Sequence, residues 1–120
     1  WVAELQRRQR SGYAYVEIYN NVEALKNYNL AIYNDPQMGS AYNNRGIIYL
    51  NKGNKSQALL DFTTAIKYTP KTDTESLGLY YANRGSLYSN MNKKAEACAD
   101  YKKGASYGNQ NCKNNLRYCK

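Results

Sequence analysis

The sequence predicts an all-α chain, an α-solenoid of antiparallel helix pairs closed by a C-terminal capping helix. Three observations carry this. The chain repeats at a step of 34 residues, with Gly12 and Gly46, Tyr15 and Tyr49, Ala24 and Ala58, Ala31 and Ala65, and Pro36 and Pro70 in register. A third copy follows at a step of 39, through Gly46 and Gly85, Tyr49 and Tyr88, Ala58 and Ala97, and Asp61 and Asp100. Pro36 and Pro70 cannot continue a helix, and they end the first two copies. A period of this length marks units that bury their faces only against one another.

The 120 residues form one domain, with copies at about 5–38, 39–72 and 78–109 and a cap at about 110–120. The middle copy is the most regular: Tyr42, Arg45-Gly46, Tyr49, Ala58, Phe62, Ala65 and Pro70. The first has Gly12, Tyr15, Ala24, Tyr28, Ala31 and Pro36, with Arg8 and Ser11 where larger residues are usual. The third has Tyr81, Arg84-Gly85, Tyr88, Ala97 and Tyr101, then Gly104 and Asn109 where Ala and Pro stood before. This pattern resembles the tetratricopeptide repeat over roughly residues 5 to 111.

In such a repeat two helices cross closely, so small residues sit at the crossing. A glycine inside a helix costs about 1 kcal/mol relative to alanine, so it stands where nothing larger fits. Tyr28, Phe62 and Tyr101 are expected to fill the space beside the small residues, and Gly53 suits the turn between the helices of the middle copy. The extra five residues of the third copy fall after Pro70. Thr72 with Glu75 reads as a capping box, so the insertion is expected to lengthen the next helix by about one turn. From Asn109 onward, Cys112, Leu116 and Cys119 at helical spacing suit a cap over the open end of the stack.

The resemblance implies a partner-binding groove lined by the first helix of each copy, and hence a protein-interaction scaffold rather than an enzyme. Mapped onto this chain, the groove positions are Gln9, Arg10, Tyr13 and Val16, then Asn43, Asn44, Ile47, Leu50 and Asn51. The third copy adds Ala82, Asn83, Ser86 and Asn90. Positions 9, 13, 16, then 43, 47, 50, then 82, 86 each follow one helical stripe. Asparagine offers donor and acceptor to a peptide backbone. It equally suits solvation or a bond to the next helix, and both readings of Asn44 and Asn83 stand. Some family members grip a C-terminal carboxylate with Lys and Arg among asparagines. Gln9, Tyr13, Asn44, Leu79 and Asn83 occupy those positions here, and only Asn44 fits. The groove therefore reads as neutral and polar, with Tyr13, Ile47 and Leu50 as apolar anchors.

Arg45 and Arg84 precede the crossing glycines in the two copies that also carry Asp61 and Asp100. The first copy has Ser11 and Asn27 instead, so both charges are absent together. That covariation indicates an ion pair between helices rather than a ligand contact. Cys98 stands where the earlier copies have Leu25 and Leu59, the position that faces the following helix. A disulfide to Cys119 or to Cys112 is one reading, and three reduced, buried thiols are the other. The run from Ala97-Cys98 to Tyr118-Cys119 resembles the ends of bacterial secreted or periplasmic repeat proteins, which would imply an oxidising compartment.

The rest of the composition narrows the function. The chain has no histidine, which removes the commonest general base and metal ligand. Its three cysteines lack zinc-site spacing, and no cofactor is expected. With 42% hydrophobic residues a core can form, but no run of about 18 apolar residues offers a membrane span. Trp1 opens the chain without an initiator Met or leader pattern, so an internal start is expected. The net charge of +8 gathers in Arg7, Arg8 and Arg10 and beyond residue 91. This keeps open an alternative as a nucleic-acid or anionic-surface binder, whose affinity would fall steeply with salt. Seven of the fourteen tyrosines (15, 28, 42, 49, 81, 88 and 101) sit at core positions of the repeat, leaving no stacking platform and weighing against nucleic acid. Self-association through the open first copy is the third alternative.

Overall fold

In the computed structural model the described residues, 20–119, are helical throughout, joined by short turns. Helix α1 runs over residues 20–34, followed by α2 (Gly39–Asn51), α3 (Lys55–Tyr68), α4 (Thr74–Asn90), α5 (Lys94–Ser106) and α6 (Gln110–Asn115). A 3₁₀ turn over Leu116–Tyr118 completes the described portion. The pairs α2/α3 and α4/α5 are the tightest contacts; α4 packs on α3 and α6 on α5. This is the helical solenoid the repeat implies.

Each turn has a local cause. Asn54 caps α3 by accepting from the Gln57 amide at 3.2 Å, and Asn109 caps α6 through the Cys112 amide at 3.0 Å. Gly53 turns the chain between α2 and α3 at φ +81°, in the left-handed region that glycine enters freely. Asn92 holds the equivalent place between α4 and α5 at φ +61°, which asparagine tolerates better than most residues.

The insertion lengthens α4 as expected: it has 17 residues against 13 in α2, close to one extra turn. Its cap differs from the expected one. Asp73, not Thr72, accepts from the Ser76 amide at 3.2 Å. The Asp73 amide donates to the Pro70 carbonyl at 3.0 Å, so residues 70–73 form a turn that holds Thr72 back from the helix.

Packing at the crossings follows side-chain size. A Cβ built on Gly46 would lie 2.8 Å from Phe62 Cε1, and one on Gly85 would lie 2.9 Å from Tyr101 Cε1. Phe62 is fully buried and Tyr101 is buried. Gly104 faces both Gly78 of its own copy and Cys112 of the cap. Cys112 stands at the register position of Gly39 and Gly78, and Gly104 replaces Ala65 opposite it. A Cβ on Gly104 would collide with the Cys112 thiol, so glycine there is the condition for seating the cap. The segment expected as one helix over 110–120 is instead the six-residue α6 and its 3₁₀ turn.

Candidate functional site

Helices α2 and α4 lie side by side, and Asn83 Nδ2 donates to Asn43 Oδ1 across them at 3.0 Å. Asn43 is buried, so its amide belongs to the joint between copies and not to a free surface. Ala82 is also buried, in a cluster with Ala97, Tyr101 and Cys112. Both had been placed on the groove by helical stripe. They drop out because Asn43 is held by Asn83 of α4 and Ala82 is covered by α5 and the cap. Leu50 is half-buried and packs against the Ala58, Phe62 and Leu87 cluster, so it contributes to the core.

What stays accessible is a narrower strip. Ile47 and Leu79 are exposed apolar residues at 37% and 48%, and Asn51, Ser86 and Asn90 on the same two helices are exposed as well. Asn44 and Asn83 are half-buried. None of these side chains is charged. By sequence pattern Leu79 stands out only as a position lacking a basic clamp residue. Its signal was present, since a leucine at an accessible position of a first helix is itself a candidate anchor. Gln9, Arg10, Tyr13 and Val16 lie outside the described residues, as do Arg7 and Arg8.

The two arginines are structural. Arg45 forks onto Asp61 at 2.9 and 2.8 Å, and Arg84 onto Asp100 at 2.8 and 2.7 Å. The Asp61 and Asp100 carboxylates raise the guanidinium pKa values further, so both arginines stay cationic. Each also reaches the preceding copy, Arg45 to Asn29 and Arg84 to Thr63. Tyr42 and Tyr49 flank Arg45 at 5.5 and 5.8 Å, as Tyr81 and Tyr88 flank Arg84 at 5.5 and 5.7 Å. One arginine per copy thus fastens three helices and two rings.

Cys98 and Cys119 are joined by a disulfide, with their Cα atoms 5.6 Å apart, while Cys112 is free and fully buried. Lys93, Lys94, Lys102, Lys103, Lys113 and Arg117 are all exposed, on the last pair and the cap rather than on the α2/α4 strip. Among the described residues no group of carboxylates, cysteines or histidines is placed to hold a metal ion. No described helix is long and apolar enough to cross a membrane.

Models of the tetratricopeptide repeat match residues 39–72 and 79–107, which together exceed half of the chain. The chain belongs to the tetratricopeptide repeat family. No curated protein sequence matches it. Among solved structures it is similar to the first TPR of Spaghetti (RPAP3) bound to the HSP90 peptide SRMEEVD, at 23% identity and a TM-score of 0.70. That likeness covers 92% of this chain and 85% of the other, and at this identity it speaks for the fold. Members of the family are generally non-catalytic scaffolds, and a protein-interaction role for this chain follows at that level.

Proposed function

We propose that this repeat domain holds an extended peptide or a segment of a partner protein in the concave groove lined by the first helices. The observation that carries this reading is the uncharged strip in which Ile47 and Leu79 stand exposed among Asn44, Asn51, Ser86 and Asn90. Such a strip suits a ligand with one or two apolar side chains for the anchors and a backbone for the amides. The ligand is not the acidic, carboxylate-ended kind seen on the similar structure, whose peptide is SRMEEVD. Leu79 stands where a clamp needs a cation, and Asn83 is engaged with Asn43.

The test is selection of a random peptide library on the disulfide-intact domain, with Ile47→Glu and Leu79→Glu variants as counter-selections. Enrichment of peptides with apolar residues that both variants reject supports the groove. Peptides retained equally by the folded variants would sink it, as would saturable binding of SRMEEVD comparable to the selected peptides.

A further inference from the structure

The joint between the second and third copies holds a cleft of about 270 Å³. Its floor is apolar: Leu77 is buried, and Ile66, Tyr81 and Tyr107 are half-buried. The two rings lie stacked with their centroids 6.1 Å apart. Lys67, Lys71 and Lys103 line the same cleft, all exposed, and no residue lining it is acidic. Lys67 and Lys103 stand in the last turns of α3 and α5, and Lys71 in the turn that leads into α4. The Lys103 ammonium lies 5.6 Å from the centre of the Tyr107 ring, which places its charge over the floor. Tyr81 follows Leu79 by two residues, roughly 200° around α4, so the cleft is distinct from the Ile47 and Leu79 strip.

The repeat separates what the fold requires of this cleft from what it does not. The 34-residue step relates Ile66, Lys67 and Lys71 to Ile32, Tyr33 and Gln37. The 39-residue step relates Leu77, Tyr81, Lys103 and Tyr107 to Met38, Tyr42, Thr64 and Tyr68. The floor recurs, with the Tyr42 and Tyr68 rings 5.9 Å apart, so it belongs to the packing of one copy on the next. The lysines do not recur. Nothing in the repeat calls for three like charges in one opening, where they repel one another. We propose that this cleft binds the side chain of an esterified tyrosine, a tyrosine O-phosphate or O-sulfate, on a partner protein. The ring rests on Leu77 and the tyrosine pair, and the ester anion lies among the three ammonium groups and offsets their repulsion. The volume falls short of the roughly 300 Å³ at which pockets enclose a whole small molecule, and it suits a single side chain.

The probes are N-acetyltyrosine amide and its O-phosphate and O-sulfate, titrated into ¹⁵N-labelled, disulfide-intact protein. At least one ester is expected to move the amide signals of Lys67, Leu77, Tyr81, Lys103 and Tyr107. It should bind at least about tenfold more tightly than the unesterified probe, and the tighter ester identifies the modification. Lys71→Gln/Lys103→Gln should weaken binding about tenfold, as expected for two exposed charge contacts. Lys52→Gln/Lys55→Gln removes the same charge around the α2/α3 turn and should leave affinity within about twofold. All four lysines are exposed, so both variants should keep their helical circular dichroism. Absence of shifts at millimolar ester, or equal binding of esterified and unesterified probes, overturns the proposal. Equal weakening by the two variants overturns it by reducing the effect to net charge. Inorganic phosphate binding as tightly as the tighter ester overturns it by leaving the floor without a role. Shifts centred on Ile47 and Leu79 overturn it too, and would leave the groove reading standing.

Discussion

Arg84 grips Asp100 through two parallel hydrogen bonds, Nε to Oδ2 at 2.8 Å and Nη2 to Oδ1 at 2.7 Å. The Asp100 side chain is 6% exposed and that of Arg84 is 18%, so the pair is largely removed from water. Breaking one half would leave a partly buried, uncompensated guanidinium. Asp100→Ala is therefore expected to destabilise by about 3 kcal/mol, near the low end for buried pairs because Arg84 retains some solvent. The double variant Arg84→Met/Asp100→Leu should lose less than Asp100→Ala alone, since neither side is then stranded. Urea denaturation of the three proteins decides it, and a double variant that loses as much as Asp100→Ala or more would contradict the pairing.

Gly46 and Gly85 sit against ring edges and not in open space. Alanine gains about 1 kcal/mol in helix propensity over glycine. Its Cβ would lie 2.8 Å from Phe62 at position 46 and 2.9 Å from Tyr101 at position 85, so overpacking of about 1–3 kcal/mol wins. Both Gly→Ala variants should lower the thermal midpoint. Gly53 is limited by its backbone instead, with nothing within 4 Å of a built Cβ. Gly53→Asn should cost little, because Asn92 already occupies the equivalent turn at φ +61°, whereas Gly53→Val should cost about 1–2 kcal/mol.

Both the arginine pairs and the glycine crossings leave a mark in the sequence itself. The arginine pairs were legible because Arg and Asp appear and vanish together across copies, and the crossings because small residues recur in step. The longer α4 was legible from a change in step alone. The exposed residues of α2 and α4 were legible only in part. A helical stripe says which residues share a face, but not that α4 covers Asn43 or that α5 and the cap cover Ala82. The cap residue of α4 escaped for a more local reason. Thr72 and Asp73 are both good caps, and the Pro70 turn chose between them.

Asn83→Ala is expected to act on stability as well as on any ligand. It would leave the Oδ1 of Asn43, a residue 3% exposed, without its donor, at a cost of about 1–3 kcal/mol. Asn44→Ala should be close to neutral, since Asn44 is half-buried and makes no side-chain hydrogen bond to another described residue. Thermal scans of both variants check this. Equal losses would mean that the Asn43–Asn83 bond contributes nothing.

The Cys98–Cys119 bond closes a loop with a sequence separation of 21 and ties the cap to α5. Loop-entropy arithmetic puts its contribution at about 3 kcal/mol. Cys98→Ser/Cys119→Ser should unfold at correspondingly lower denaturant, and the native protein should drop to the same midpoint in reductant. Thiol counting offers an independent check. One thiol should react only after unfolding in the absence of reductant, and three after reduction.

That single thiol makes stability fall in alkali. Cys112 is fully buried beside Gly104, and burial pushes its pKa up, with the Asp100 charge adding to the effect. Burial likewise raises the Tyr80 phenol, against a smaller opposing effect of its bond to Ser76. A group whose folded pKa lies above its unfolded one stabilises the fold below the unfolded value. That contribution is lost as pH rises toward the folded value. Thiols in unfolded chains titrate near about 8.5 and phenols near about 10. Unfolding free energy should therefore hold level up to about pH 8 and decline above it, with a second decline beyond about pH 10. Cys112→Ala should remove the first decline and keep the second, even though the cavity it leaves lowers stability at every pH. Denaturation curves from neutral to alkaline pH in the disulfide-intact protein would show it. The same onset in Cys112→Ala would assign the loss to some other group.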